Sequence, residues 1–152
     1  MPEKMTLERA RKDKRQGKSP STQAGEFVHE EIEHIREGKH GARSTKQAIA
    51  IGLSKARRAG VALPPPRKGT TSEETRHDAE RALEAGKHPS RKKPSPARSR
   101  AAKRRLKKMP TSVASHAALS RQAKASAKRR PASARKAAAK KAARTRARNS
   151  ST

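Results

Sequence analysis

The segment STKQAIAIGLSKARRAG, residues 44–60, carries the local signals of a helix that buries one face. Ser44 and Gln47 have the spacing of a capping box, in which two side chains satisfy backbone N–H groups at a helix start. Gly60 supplies a left-handed stop after the last turn. The apolar residues of one helix face follow at helical spacing: Ile49, Leu53 and Ala56. The segment therefore predicts an amphipathic helix.

A second amphipathic helix precedes this segment, in SPSTQAGEFVHEEIEHIREG. Ser19 is suited to the N-cap, Pro20 to the first helical position and Gly38 to the stop. Because about six residues join the two helices, the pattern predicts an antiparallel helical hairpin over residues 19–63. Its expected core consists of Phe27, Val28, Ile32, Ile35, Ile49, Leu53 and Ala56.

The flanking sequence has too little apolar surface for a second core. Residues 1–18 predict a basic arm with a fraying helix from Thr6 to Gly17. Residues 64–89 predict a Pro-rich linker and a solvated helix, with Thr71 as its N-cap and Gly86 as its stop. Residues 90–152 consist mainly of Lys, Arg, Ala, Ser and Pro and predict a disordered tail. The expected fold class is all-α, a small hairpin between a largely disordered arm and tail.

Composition sets limits on the function. Of 152 residues, 30% are hydrophobic and 36% are charged, and Cys, Trp and Tyr are absent. The absence of Cys excludes disulfides and thiolate metal sites, and no apolar run has the length of a membrane span. We therefore expect a cytoplasmic protein that does not enter membranes.

The charge is concentrated at one end of the chain. Residues 90–152 hold 22 of the 41 Lys and Arg and none of the 13 Asp and Glu. Such a block is typical of a polyanion-binding tail, and the tail has no Phe, Tyr or Trp on which unpaired bases could stack. Duplex DNA is the expected partner, and structured RNA is the alternative. The candidate phosphate-binding residues are Lys103, Arg104, Arg105, Lys107, Lys108, Lys128, Arg129, Arg130, Arg135, Lys136, Lys140, Lys141, Arg144, Arg146 and Arg148. Lys46, Lys55, Arg57 and Arg58 on the hairpin form a second candidate contact.

Motifs that carry catalysis or bind metal are not matched. HEEIEH at residues 29–34 resembles the zinc-protease helix, but its second His comes at i+5 instead of i+4, so we expect solvated side chains there. GKS at residues 17–19 lacks the first Gly of a phosphate-binding loop. The sequence predicts no catalytic residue, no metal site and no cofactor.

The hairpin also resembles a known family. KHGARSTKQAIAIGLSKARRAG, residues 39–60, is similar to the core of a family of small basic bacterial and phage proteins of unknown function. Its pattern S-x-K-Q-A-I-A-I-[AG]-L-S-x-A-R-x-A-G is matched from Ser44 to Gly60. The resemblance implies a DNA-binding or plasmid-stabilisation protein without a catalytic role. The tail separately resembles the Lys/Ala-rich ends of linker histones and bacterial histone-like proteins, and SPAR at residues 95–98 resembles a histone-tail turn.

These observations predict a non-enzymatic, sequence-nonspecific DNA-binding protein of the bacterial nucleoid. The hairpin would self-associate or bind a protein and bring several tails to one duplex. Two alternatives stay open at this point. One is an RNA-binding or ribosome-associated chaperone, and the other is a plasmid-maintenance or phage interaction module whose hairpin binds a protein partner.

Overall fold

The computed structural model describes residues 2–88 and 95–150, and within them the chain is all-α, which confirms the all-α part of the predicted fold class. The helices are α1 (Lys4–Arg15), α2 (Pro20–Arg36), α3 (Thr45–Arg58), α4 (Glu73–Lys87), α5 (Pro96–Lys107), a 3₁₀ turn (Ser112–Ala114), α6 (His116–Lys128) and α7 (Ala132–Ser150). The chain divides into two compact units, and the boundary lies between residues 115 and 116. None of the described helices combines the length and apolar composition that a membrane span requires.

The predicted ends of α2 and α3 are confirmed. The Ser44 hydroxyl accepts a hydrogen bond from the Gln47 backbone N–H at 3.2 Å, and the Gln47 side chain accepts one from the Arg43 N–H at 2.7 Å. The Ser19 hydroxyl accepts one from the Thr22 N–H. After each helix a glycine takes the left-handed conformation that side chains disfavour, Gly38 with φ 72° and Gly60 with φ 90°.

Helices α2 and α3 pack closely because a glycine lies where they meet. A Cβ atom on Gly52 would lie 2.7 Å from the Val28 Cα atom, which is closer than real Cβ contacts come. The bare Gly52 therefore lets the two backbones approach, although glycine inside a helix costs about 1 kcal/mol relative to alanine.

The two helices are the centre of a larger group, because α1 packs on α2 and α4 packs on α3. Of the expected core residues, Phe27, Ile32, Ile35 and Ala56 are buried, whereas Val28, Ile49 and Leu53 are partly buried. The main cluster joins residues from α1, α2, α3 and the linker after α3: Ala10, Ala24, Phe27, Ala56 and Val61, with Leu7, Leu53 and Leu63 packed against it. The hairpin is thus part of a four-helix arrangement.

The flanking helices differ from the sequence predictions. Helix α1 begins at Lys4 instead of after Thr6, and Thr6 is buried. Helix α4 takes Ser72 as its N-cap instead of Thr71. Gly86 lies inside α4, and a Cβ atom there would overlap the Arg57 carbonyl oxygen. Gly86 therefore permits a close contact with α3 instead of ending a helix.

The described part of the predicted disordered tail is also helical. Residues 96–107, 116–128 and 132–150 form α5, α6 and α7, while the predicted boundary at residues 89 and 90 lies outside the described residues. The physical reason is composition, since alanine is the strongest helix former and provides eight of the 19 residues of α7. This local preference outweighs the repulsion between like charges that led us to expect disorder.

Replacing Gly52 by alanine should destabilise the protein, because the new methyl group overlaps the α2 backbone. We expect the free energy of unfolding to fall by about 1–3 kcal/mol, measured by urea denaturation followed by helical circular dichroism. The matched control is Gly25→Ala in α2, where the new methyl group meets no atom within 4 Å. That variant should gain up to about 1 kcal/mol. Equal effects of the two substitutions would contradict the close approach.

Candidate nucleic-acid interface and the buried charge cluster

The fifteen predicted phosphate-binding side chains are all exposed. Lys103, Arg104, Arg105 and Lys107 lie on α5, and Lys108 follows it directly. Lys128 ends α6, and Arg129 and Arg130 lie between α6 and α7. The remaining seven lie on α7: Arg135, Lys136, Lys140, Lys141, Arg144, Arg146 and Arg148. The predicted residues therefore belong to two compact units, five of them to the first and ten to the second.

The cations of α7 surround the helix instead of forming one stripe. With 100° between successive residues, Arg135, Lys136 and Lys141 project in three different directions. All 19 residues of the helix are exposed, so it has no buried face. Such a helix presents positive charge on every side, which suits contact with a polyanion of any sequence.

The segment that follows α5 is anchored to the connector between α2 and α3. The Gly41 N–H donates to the Leu106 carbonyl at 2.9 Å, and the Ala42 N–H donates to the Pro110 carbonyl at 3.2 Å. A Cβ atom on Gly41 would overlap the Met109 carbonyl, so the contact needs glycine.

Two side chains from α2 and α3 extend this anchor. Arg36 Nε donates to the Ala114 carbonyl at 2.9 Å, and Thr45 Oγ1 donates to the Val113 carbonyl at 2.7 Å. Residues 106–114 are therefore fixed to the end of the hairpin by main-chain and side-chain hydrogen bonds. Sequence reasoning missed this anchor, because no local pattern indicates which carbonyl a distant N–H will meet.

One face of α5 turns toward the start of α3. Ala102, Leu106 and Met109, with Ala101 and Arg105, line an open groove whose other wall is formed by Arg43 and Gln47. Lys103, Arg104 and Lys107 are exposed and do not line this groove. The anchored helix thus keeps much of its positive charge available to a ligand.

A cluster of charged side chains is buried between α2 and α3. Glu30 is 5% exposed and Glu31 is 1% exposed, although sequence analysis placed both on the solvated faces of α2. Lys55 Nζ lies 2.6 Å from Glu31 Oε2 and 3.8 Å from Glu30 Oε1. His40 from the connector completes the group, with Nε2 3.4 Å from Glu31 Oε1. The cluster joins both helices and the connector.

The start of α1 is attached to the same region through Glu3. Glu3 Oε1 lies 2.8 Å from His34 Nε2 and 3.6 Å from Lys39 Nζ, and the Glu3 N–H donates to Glu30 Oε2 at 3.1 Å. The hydrogen bond from His34, with a smaller contribution from Lys39, lowers the pKa of the Glu3 carboxyl. The predicted N-terminal arm is therefore attached to α2 by charge as well as by apolar packing.

The four cations of α3 divide into two groups. Lys55 lies in the buried cluster, and Arg57 is 6% exposed and donates to the Leu63 and Pro64 carbonyls at 3.1 Å each. Burial lowers the pKa of Arg57. Lys46 and Arg58 are exposed. Lys55 and Arg57 thus stabilise the fold, whereas Lys46 and Arg58 are exposed to solvent.

Comparison with known proteins gives one match. A family described as a family of unknown function (DUF6496) matches residues 11–68, which include α2, α3 and the last five residues of α1. The match ends before α4, and the basic tail lies outside it. Neither the curated proteins nor the solved structures give a match. The shared segment is thus the one that contains the buried charge cluster and its connector.

Removing the partly buried Lys55 ammonium should destabilise the protein, because two carboxylates would stay buried without their nearest cation. We expect Lys55→Met to lower the free energy of unfolding by about 2–4 kcal/mol at neutral pH. Urea denaturation measures this loss.

Lys46→Met is the matched control, since Lys46 lies on the same helix and is exposed. Its effect should stay within about 0.5 kcal/mol. If Lys55→Met costs no more than this control, the ion pair does not stabilise the fold.

Proposed function

We propose that this chain is a non-enzymatic, sequence-nonspecific DNA-binding protein of the histone-like, nucleoid-associated kind, acting in the cytoplasm on the nucleoid. One observation carries the proposal. The described residues 95–150 contain no acidic side chain, and all fifteen candidate Lys and Arg side chains are exposed on or beside helices. Neutralisation of backbone phosphates is the activity that this arrangement supports best.

The distribution of acids strengthens the proposal. In residues 2–88 carboxylates form ion pairs with nearby cations, as Asp13 does with Lys18 and Glu80 with Arg76. The sequence of the second unit contains no Asp or Glu side chain. Its large excess of positive charge therefore favours an external polyanion.

The dimensions of α7 suit a duplex. A helix of 19 residues is about 28 Å long, and duplex DNA carries one phosphate charge per ~1.7 Å of its axis. A duplex of the same length carries roughly 17 phosphates, which exceeds the seven Lys and Arg of α7. Each contact releases condensed counterions, so binding should weaken steeply as salt rises. Since the cations surround α7, the contacts follow backbone charge and not a base sequence.

The absence of Phe, Tyr and Trp from the basic tail favours duplex DNA over RNA. Proteins that read RNA loops or single strands commonly stack bases on Phe, Tyr or Trp, and residues 90–152 contain none of these three. Structured RNA has a charged backbone too, and its binding is an outcome that the experiment below separates.

The predicted docking role of the hairpin receives less support. Among the described residues, Met5 is the large hydrophobic side chain that is exposed, at 60%. Leu53 packs on the core cluster, and Ile49 is partly buried. Self-association or protein binding through this stripe stays a prediction, and we give it no part in the proposed mechanism.

The proposal is tested by neutralising four cations of α7 in the full chain: Arg135, Lys136, Lys140 and Lys141, each changed to Gln. Substitution is preferable to deleting residues 90–152, because the deletion would also remove the anchor on Gly41 and Ala42. We expect weaker retardation of duplex DNA. The slope of log affinity against log salt should become shallower by up to about four, one for each lost phosphate contact.

The control variant carries the same charge change on α1, where Arg11, Lys12, Lys14 and Arg15 are exposed. If both variants lose the same affinity, net charge and not the tail determines binding. If the wild type prefers structured RNA to duplex DNA at fixed salt, the RNA alternative replaces the proposal. If the α7 variant binds as tightly as wild type, the phosphate-binding role is wrong.

A further inference from the structure

Three side chains that can bind a metal ion meet beside the connector. Glu31 and His34 lie on α2, one helical turn apart, and His40 comes from the connector. One ligand atom from each residue lies within 4.8 Å of the other two. Sequence analysis considered the HEEIEH motif at residues 29–34 and missed this set, because His40 joins it through the fold and not through helical spacing.

The separations suit a small ion. Zinc binds imidazole nitrogen and carboxylate oxygen at about 2.0–2.2 Å, so neighbouring ligands in a tetrahedral site lie about 3.3 Å apart. His40 Nε2 and Glu31 Oε1 are 3.4 Å apart. The ring centroids of His34 and His40 are 6.2 Å apart at an interplanar angle of 82°, so the rings do not stack face to face. The three ligand atoms lie within 4.8 Å of one another, so small rotations of the two His side chains would complete the geometry.

Hydrogen bonds already orient the possible ligands. His40 Nδ1 lies 3.2 Å from the Gly41 carbonyl, and donation to that oxygen leaves Nε2 with a lone pair facing Glu31. His34 Nε2 donates in the same way to the Glu3 carboxylate at 2.8 Å, which leaves its other ring nitrogen unprotonated. Metal-binding His residues nearly always donate their second nitrogen to a carboxylate or a carbonyl. Lys55 holds the Glu31 oxygen that does not face His40.

The local charge balance favours a cation. Glu30 and Glu31 are both buried and have one ammonium, Lys55, between them. Glu30 Oε1 is buried and accepts no hydrogen bond. Buried carboxylates are costly unless cations or donors compensate them. The other nearby ammonium, Lys39, is paired with Glu3 and Glu37 at the surface and has a half-exposed side chain that can move away.

We propose that Glu31, His34 and His40 form a site for one divalent transition-metal ion of the Zn²⁺ class, with water as the fourth ligand. Glu3, Lys55 and the Gly41 carbonyl position the three ligands. Two imidazoles and one carboxylate are a ligand set that suits Zn²⁺ better than Mg²⁺ or Ca²⁺, which prefer oxygen.

The site would stabilise the junction that holds the end of α5. His40 directly precedes Gly41 and Ala42, whose N–H groups hold the end of α5. An ion shared by α2 and His40 would fix the connector, and Glu3 would attach α1 to the same ion through His34. Its role is structural, and it is independent of the proposed DNA binding.

Binding is tested on the full chain after chelator treatment and dialysis, with Zn²⁺ by calorimetry and with Co²⁺ by visible absorption. We expect one ion per chain at micromolar concentration, a Co²⁺ spectrum of low coordination number, and a thermal midpoint that rises with Zn²⁺. His40→Ala should weaken binding at least 100-fold. Glu3→Gln, which alters a positioning residue, should weaken it about 10–100-fold.

His77→Ala is the matched control, because His77 is exposed on α4 and its loss should leave affinity unchanged. If His40→Ala and His77→Ala bind Zn²⁺ as tightly as wild type, or if the wild type binds no ion at micromolar concentration, the site does not exist.

A measurement on the unchanged chain covers the case in which His40→Ala fails to fold. The chain has six His residues, and nuclear magnetic resonance resolves their ring nitrogens. Zn²⁺ should shift the ring signals of His34 and His40 and leave those of His29, His77, His88 and His116 in place. Uniform small shifts of all six would overturn the proposal.

Discussion

The buried contact between Lys55 and Glu31 is the interaction on which the rest of the structure depends. It lies between the two helices against which α1, α4 and the 3₁₀ turn pack, and it joins them at a distance of 2.6 Å. The core around it is small and built largely from alanine, with Phe27 and Ile35 as its largest fully buried apolar side chains. Alanine-rich helices gain contact only when their backbones come close, which Gly52 allows. The close approach in turn removes the charges from water, so the ion pair must form for the packing to be favourable.

The small size of the core also explains why short segments are attached by polar contacts. Helix α1 contributes Ala10 to the apolar cluster and also reaches α2 through Glu3. The linker after α3 is held by the Arg57 guanidinium, which donates to two carbonyls. The segment after α5 is fixed by backbone N–H groups of the connector. A core this small cannot order long flanks by apolar burial alone, and directed hydrogen bonds supply the remaining specificity.

Local signals in the sequence predicted much of the fold. Ser19, Ser44, Gly38 and Gly60 gave the ends of α2 and α3, because capping depends on residues only a few positions apart. The predictions failed where distant parts of the chain meet. Nothing local distinguishes Glu31, which is buried, from Glu33, which is partly exposed. Gly86 was predicted to end a helix, because its contact with Arg57 forms only in the tertiary structure and leaves no local signal in the sequence. The tail helices were missed for a different reason, since repulsion between like charges was weighed above the helix propensity of alanine.

The candidate interface also combines features that the sequence predicts with features that depend on the tertiary structure. Charge can be counted from the sequence, so the acid-free region and its exposed cations were predictable. The grouping of Glu31, His34 and His40 was not, because it requires the connector to fold back against α2. The connector therefore has two functions. It turns the chain from α2 into α3, and through Gly41 and Ala42 it holds the first of the basic helices. His40, which contacts Glu31, directly precedes Gly41 and Ala42, so the acidic cluster and the anchor of α5 meet in three consecutive residues.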